Sequence, residues 1–230
     1  MALRPAGRFQ LARLDAFSAE ADLGWMTADE AARLAGMHSP ERRLSFIAGH
    51  KLARDLAAGW LDVDVQRLAL DRHPDGRPLL LLDGTPAPLF TSLSHSGEWI
   101  VAAIATVPVG VDVEVPRRQR DFDALARHAF SSDEVERLQA LLASERIGEF
   151  HQIWALKEAR GKRTGEGFLP GRSRQLTSMP TPDDSADALS WRLGDGALAI
   201  ALDPGGSLDI DDHGLLTGRS AWRFQDHAER

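Results

Sequence analysis

Apolar residues recur at helical spacing across residues 40–60, where Leu44, Ile47, Ala48, Leu52 and Leu56 form one stripe. Arg42, Arg43, Lys51 and Arg54 add positive charge to the same segment. The pattern then shortens to that of strands. A run over residues 65–70 leads into His73-Pro74-Asp75-Gly76-Arg77-Pro78, a turn signal. Strand-like segments at 89–95 and 99–106 are joined by Ser96-Gly97-Glu98, which is hairpin spacing. Pro108-Val109-Gly110 introduces a β-branched acidic run, Val111-Asp112-Val113-Glu114. Helical periodicity returns at 122–129. Ser131 and Glu134 stand at capping-box spacing and start a helix running to about residue 143. The next helix carries Trp154-Ala155-Leu156-Lys157-Glu158-Ala159-Arg160-Gly161-Lys162 and frays near Thr164-Gly165-Glu166-Gly167. Residues 170–189, rich in Pro, Ser, Asp and Gly, read as a long irregular segment. Short β-like runs follow at 189–193, 198–202, 207–210 and 221–224. Strands and helices mix without regular alternation, which favours an α+β fold over a doubly wound sheet.

Composition narrows the partners. The 230 residues suit one large domain or two of about 100 to 120 residues. There are no cysteines, which excludes disulfides, thiolate zinc sites and a cysteine nucleophile, and fits a reducing cytosol. The net charge of -7 argues against general binding to nucleic acid or an anionic membrane. The first residues lack the apolar core of a signal peptide. The most apolar stretch, residues 99–115, contains Pro108, Asp112 and Glu114 and is too short to span a bilayer. The expectation is a cytoplasmic protein that meets any polyanionic ligand through a local basic patch.

Two acidic motifs carry the candidate chemistry. Asp112 and Glu114, two residues apart on a strand, leave the same face together. On the later helix, Trp154, Glu158 and Lys162 form one row at i, i+4 and i+8. If that row faces the strand, three carboxylates and a lysine meet, an arrangement that holds a hard cation and a polyphosphate. All the donors are oxygens, so Mg²⁺ or Mn²⁺ is favoured over zinc. Spacing alone fits a solvated strand face and an ordinary i,i+4 Glu-to-Lys pair better than a site. The cluster Lys157, Arg160, Lys162 and Arg163 beside the carboxylates strengthens the phosphate reading. Ser92-Leu93-Ser94-His95-Ser96 places a histidine and hydroxyls at a strand end, but no Gly-x-Ser-x-Gly elbow accompanies them.

Taken in order, Gly76-Arg77-Pro78, Leu93-Ser94-His95-Ser96, Gly110 to Glu114 and Trp154 to Lys162 resemble the motifs of the 4′-phosphopantetheinyl transferases of the surfactin-synthetase (Sfp) type. Gly165 and Gly167 match the glycines that follow the last motif, and the resemblance covers about residues 40–170. It implies transfer of the phosphopantetheine arm of coenzyme A to a serine of an acyl or peptidyl carrier protein, releasing 3′,5′-ADP. By the same resemblance Asp112, Glu114 and Glu158 hold Mg²⁺, and Glu158 also deprotonates the incoming serine. Lys157 and Lys162 contact phosphates, Ser94 and His95 the phosphate groups of coenzyme A, and Arg77 with Pro78 the nucleotide end.

The implied fold is two similar ferredoxin-like α/β halves forming a pseudo-dimer in one chain, divided as residues 1–108 and 109–230, with coenzyme A between them. A monomer is expected for that reason. Two departures stand out. Relatives often carry an arginine nine residues before a second one, and here Ser45 stands nine before Arg54, so Arg42 or Arg43 must substitute; Arg43 is the assigned coenzyme A contact. Relatives also usually continue into one more strand, so a C-terminal half that is truncated or closed differently is expected. A metal-dependent phosphohydrolase of coenzyme A or nucleotides, and a non-catalytic coenzyme A- or carrier-binding relative, are the alternative readings.

Overall fold

A computed structural model describes residues 7–18, 22–116, 121–203 and 208–227. Its first part runs β1 (Gly7–Arg13), α1 (Ala28–Ala35), α2 (Pro40–Leu61), β2 (Leu68–Arg72), β3 (Pro78–Leu82), β4 (Thr85–Pro86), β5 (Phe90–Ser96) and β6 (Trp99–Ala105). The second runs β7 (Gly110–Glu114), α3 (Phe122–Ala129), α4 (Ser132–Ala140), α5 (Ala143–Thr164), α6 (Pro170–Ser173), β8 (Leu176–Pro180), β9 (Ala188–Leu193), β10 (Gly196–Ala201), β11 (Leu208–Asp211) and β12 (Thr217–Asp226). The mixed α+β expectation holds. Residues 170–189 depart from the irregular segment expected: they supply α6, β8 and the start of β9. Two of the polar side chains that suggested a loop, Thr177 and Ser178, are buried and bonded to α4 and its cap. Of the expected run 207–210, residue 207 lies outside the described residues; the rest begins β11.

Two sheets form the body, ordered β11-β1-β6-β5 and β7-β10-β9-β12-β8, with β2-β3-β4 as a smaller third. The order β5-β6-β1 in one sheet matches β9-β10-β7 in the other. β11, late in the chain, joins the first sheet by pairing parallel to β1. Period-two side-chain alternation explains the layers. On β6, Val101, Ala103 and Ala105 enter a core shared with Val111, Val113, Leu198 and Ile200 of the other sheet. The intervening Ile100, Ala102 and Ile104 pack under α2 with Ala48, Leu52 and Leu56. A strand buried on both faces reads as a continuous apolar run, which is why residues 99–105 are the most hydrophobic part of the chain.

On β10 the faces differ in size. Leu198 and Ile200 fill the shared core, whereas Ala197, Ala199 and Ala201 face α5, meeting Ala155 and Ala159. Small residues on both surfaces let the helix approach closely. Gly110 on β7 belongs to this fit: a Cβ there would stand 1.9 Å from the Ala159 carbonyl oxygen. Since backbone cannot yield as a side-chain tip can, Gly110→Ala should push α5 off β7 and cost upward of about 2 kcal/mol. Thermal unfolding of that variant checks the packing, and an unchanged melting temperature would contradict it.

Helix ends follow their local chemistry. Thr27/Glu30 caps α1 and Ser131/Glu134 caps α4, each as a reciprocal capping box. α5 stops at Gly165, whose φ of +77° is the left-handed conformation that favours glycine at a helix C-terminus.

Candidate active site

β5 and β7 lie side by side where the two sheets meet, without a backbone ladder between them. Serine hydroxyls replace it. Ser92 Oγ accepts from the Val111 amide at 3.0 Å and Ser96 Oγ from the Val115 amide at 3.1 Å. Both pairs are 19 residues apart, so the strands run parallel in constant register. Ser92, Ser94 and Ser96 share one face of β5 because side chains alternate. The middle one donates to Asp112 Oδ1 at 2.7 Å, and Ser96 also donates to Glu114 Oε2 at 3.2 Å. Both motif carboxylates of β7 therefore sit on this seam.

The α5 row faces it, as the periodicity requires. Trp154, Glu158 and Lys162 are all half-buried. Trp154 stacks on Phe168 at a centroid distance of 4.7 Å, which supports the row from below. The Lys162 ammonium donates to Asp112 Oδ1 at 2.7 Å, to the Val111 carbonyl at 3.1 Å and to the Leu93 carbonyl at 3.3 Å. It thus ties α5 to both strands of the seam. Glu158 titrates far above an ordinary carboxylate, at about 7. Burial is the main cause and the negative charges of Asp112 and Glu114 add to it, while Lys162 partly offsets them.

The three carboxylates are neighbours rather than a finished cage. Among the described residues no three acidic, histidine or cysteine side chains converge tightly enough to hold a metal ion as they stand. Asp112 Oδ2 is buried with no hydrogen-bond donor among the described residues. An orphaned carboxylate oxygen beside a carboxyl that resists ionisation is a local excess of negative charge. Such an oxygen-only donor set fits a hard divalent cation in kind.

Two cavities open on either side of this centre. One, of about 320 Å³, lies under α2 and is lined by Arg42, Ser45, Phe46, His50, Ser94 and His95 among others. The other, of about 430 Å³, lies between the Arg72–Pro78 turn, β5 and the end of α5, with Arg72, Arg77, Pro78 and Lys162 in its wall. They meet at Leu93 and its neighbours on the seam. Arg77 reaches its cavity while bonded to Asp75 at 2.6 Å and to the Arg163 carbonyl at 3.1 Å, so it also caps the C-terminal end of α5.

Two expected contacts are corrected. Lys157 is not available to a phosphate. It is 4% exposed, its ammonium lies 2.9 Å from Glu134, and it donates to the Ser173 and Leu176 carbonyls at 2.7 and 2.6 Å. The physical reason is helical geometry: Lys157 precedes Glu158 by one residue, about 100° around the helix, which takes it off the row that faces the seam. Burial pulls its pKa down and Glu134 counteracts that. Arg43 is likewise turned away, donating to the Leu34 carbonyl at 2.8 Å, and Arg42 takes the cavity-lining position. Removing one member of a buried ion pair costs about 3 to 5 kcal/mol. Lys157→Met should therefore lower the melting temperature markedly while leaving coenzyme A affinity of the folded fraction unchanged. A stable variant with weakened coenzyme A binding would restore the phosphate role.

A matching device lies in the first part of the chain, between α1, α2 and the smaller third sheet. Arg54, 1% exposed, pairs with Glu30 at 2.5 Å and donates to the Leu68 carbonyl at the start of β2. In both places a capping-box glutamate meets a buried cation of a 22-residue helix, which grips the first residue of the next strand. His50 joins this group, 2.6 Å from Glu30, and was not assigned a role by sequence. Ser92 and Ser96 were also missed as joining residues, although their alternation with Ser94 was the readable signal.

The 4′-phosphopantetheinyl transferase superfamily model matches residues 108–211, the span from β7 to β11. The 4′-phosphopantetheinyl transferase HetI of Nostoc sp. is 31% identical over 170 residues, covering 73% of this chain and 72% of the relative. The chain belongs to the 4′-phosphopantetheinyl transferase superfamily. The transferase Sfp of Bacillus subtilis is 27% identical over 157 residues, 68% of this chain and 62% of its own. AcpT of Salmonella typhimurium is 33% identical over 105 residues, 45% of this chain and 52% of its own. The resemblance to phosphopantetheinyl transferases read from four motifs is thus an actual membership. In this member of the superfamily the acidic strand and the Trp154 helix are the two faces of one seam.

Proposed function

We propose that the chain transfers the 4′-phosphopantetheine arm of coenzyme A to a serine hydroxyl of an acyl or peptidyl carrier protein. The observation that carries this reading is the Asp112–Lys162–Glu158 seam, placed where two cavities meet. Neither cavity alone is ample for coenzyme A, whereas a long nucleotide lying across the seam would use both. Its nucleotide end would rest in the Arg77 and Pro78 cavity and its phosphates beside Ser94, His95 and Lys162. Glu158, half ionised near neutral pH, is suited to take the proton of the attacking serine. The serine oxygen forms a bond to the phosphorus that carries pantetheine, and the bond from that phosphorus to the oxygen of 3′,5′-ADP breaks. Asp112, Glu114 and Glu158 would hold Mg²⁺, or Mn²⁺ in its place, which neutralises charge on the pyrophosphate when bound. Lys162 supplies positive charge from the chain itself, as a point charge toward the same oxygens.

The repeated strand order and the repeated glutamate–cation pair support reading residues 1–108 and 109–230 as two similar halves, with β11 an arm of the second laid on the first. Both walls of the site then come from one chain, which favours a monomer. Its substrates and its cysteine-free composition favour the cytoplasm.

Release of 3′,5′-ADP from coenzyme A and Mg²⁺ separates this reading from hydrolysis. Nucleotide should appear only when an apo carrier protein is added. Equal release without any carrier would show a phosphohydrolase.

A further inference from the structure

The spacing of Asp112 and Glu114 poses a geometric problem. Two positions i and i+2 on a strand stand about 6.6 Å apart. Oxygens sharing one Mg²⁺ at about 2.1 Å each lie no more than about 4 Å from one another. The two side chains must therefore lean together, and their own backbone does not make them do so.

The neighbouring strand supplies a group that orients one of them, Glu114. Ser96 is 1% exposed and its hydroxyl is used twice. It accepts from the Val115 amide at 3.1 Å and donates to Glu114 Oε2 at 3.2 Å. The amide fixes where the oxygen sits, and the hydroxyl hydrogen then points at the carboxylate. Ser92 makes the same kind of backbone anchor, to the Val111 amide at 3.0 Å, and bonds no carboxylate among the described residues. One strand thus carries a hydroxyl that joins the seam and touches the acid, and another that only joins the seam.

We propose that Ser96 is a positioning residue for metal binding, its hydroxyl holding Glu114 in the orientation that lets β7 share a cation with α5. The inference rests on the reading of Asp112, Glu114 and Glu158 as the metal ligands. Groups that orient a ligating carboxylate typically change metal affinity by about 10- to 100-fold when removed.

The test uses the full chain with Mn²⁺ alone, titrated by calorimetry or electron paramagnetic resonance, without coenzyme A or carrier. Ser96→Ala should weaken Mn²⁺ binding about tenfold. Ser92→Ala, which loses only a backbone anchor, should stay within about twofold of the wild type while melting at a lower temperature. On a Glu114→Gln background, Ser96→Ala should bring no further loss of affinity, because the group it orients is gone. If Ser96→Ala does not yield folded protein, Ser96→Cys, similar in size and a weak donor, serves in its place with the same expectation. Equal losses in the Ser92 and Ser96 variants, or a further loss on the Glu114→Gln background, would overturn the proposal and leave Ser96 as a seam fastener only. Failure of the wild-type protein to bind Mn²⁺ at all would overturn the ligand assignment first and the proposal with it.

Discussion

Glu158→Gln should lower phosphopantetheine transfer by about a thousandfold or more, since on the proposed function it removes a base and a cation ligand together. The substitution keeps the shape of the side chain and removes a charge that the fold resists, so the variant should be no less stable than the wild type. The pH dependence follows from the same group. Burial and the two β7 carboxylates raise its pKa from 4.5 to about 7, so between those values the folded state holds a proton the unfolded chain has lost. Stability of the metal-free protein should consequently fall as pH rises through that window and level off above about 7. Metal binding needs the ionised form, so affinity for Mg²⁺ should rise with pH up to about 7 and flatten beyond. The Glu158→Gln variant should lose both dependences. Persistence of either in the variant would assign them to another group.

Asp112→Asn should be as severe for transfer, again about a thousandfold or more, and for a different reason. Asp112 is 3% exposed, and its Oδ1 receives both Lys162 and Ser94 while Oδ2 has no donor among the described residues. The amide still accepts from Ser94, so the seam should close, but it neither balances Lys162 nor binds a cation. Lys162 is partly exposed and regains water, so the loss of stability should be modest, about 2 kcal/mol or less. The expected pattern is a folded protein, shown by near-normal melting, that binds no Mn²⁺ and transfers nothing measurable. A variant with near-normal turnover would remove Asp112 from the site. Lys157→Met provides the opposite pattern, a stability loss without a site defect, and the pair distinguishes the two faces of α5.

Much of this site was legible because it depends on local periods. The alternation on β7 puts Asp112 and Glu114 together, and the i, i+4, i+8 row selects Glu158 and Lys162 from a helix full of charge. The same rule applied to Lys157 would have excluded it, since a residue adjacent to Glu158 cannot share its face. Arg43 was harder: it and Arg42 are neighbours on α2, and only the position of α1, whose Leu34 carbonyl takes Arg43, decides between them. The seam itself was not readable. No local pattern announces that β5 and β7 approach in parallel across two sheets, or that β11 returns to pair with β1. β8 was hidden for a related reason. Its five residues include Thr177 and Ser178, polar by composition, and they are buried because Glu134 and Ser131 of the α4 cap meet them. Tertiary partners outweighed propensity there.

The decisive measurement is the mass of an apo carrier protein after incubation with this chain, coenzyme A and Mg²⁺. The expected result is a gain of one phosphopantetheine on the carrier serine, absent with Glu158→Gln or without Mg²⁺. An unmodified carrier, in a reaction where a known transferase modifies the same preparation, would contradict the proposed function.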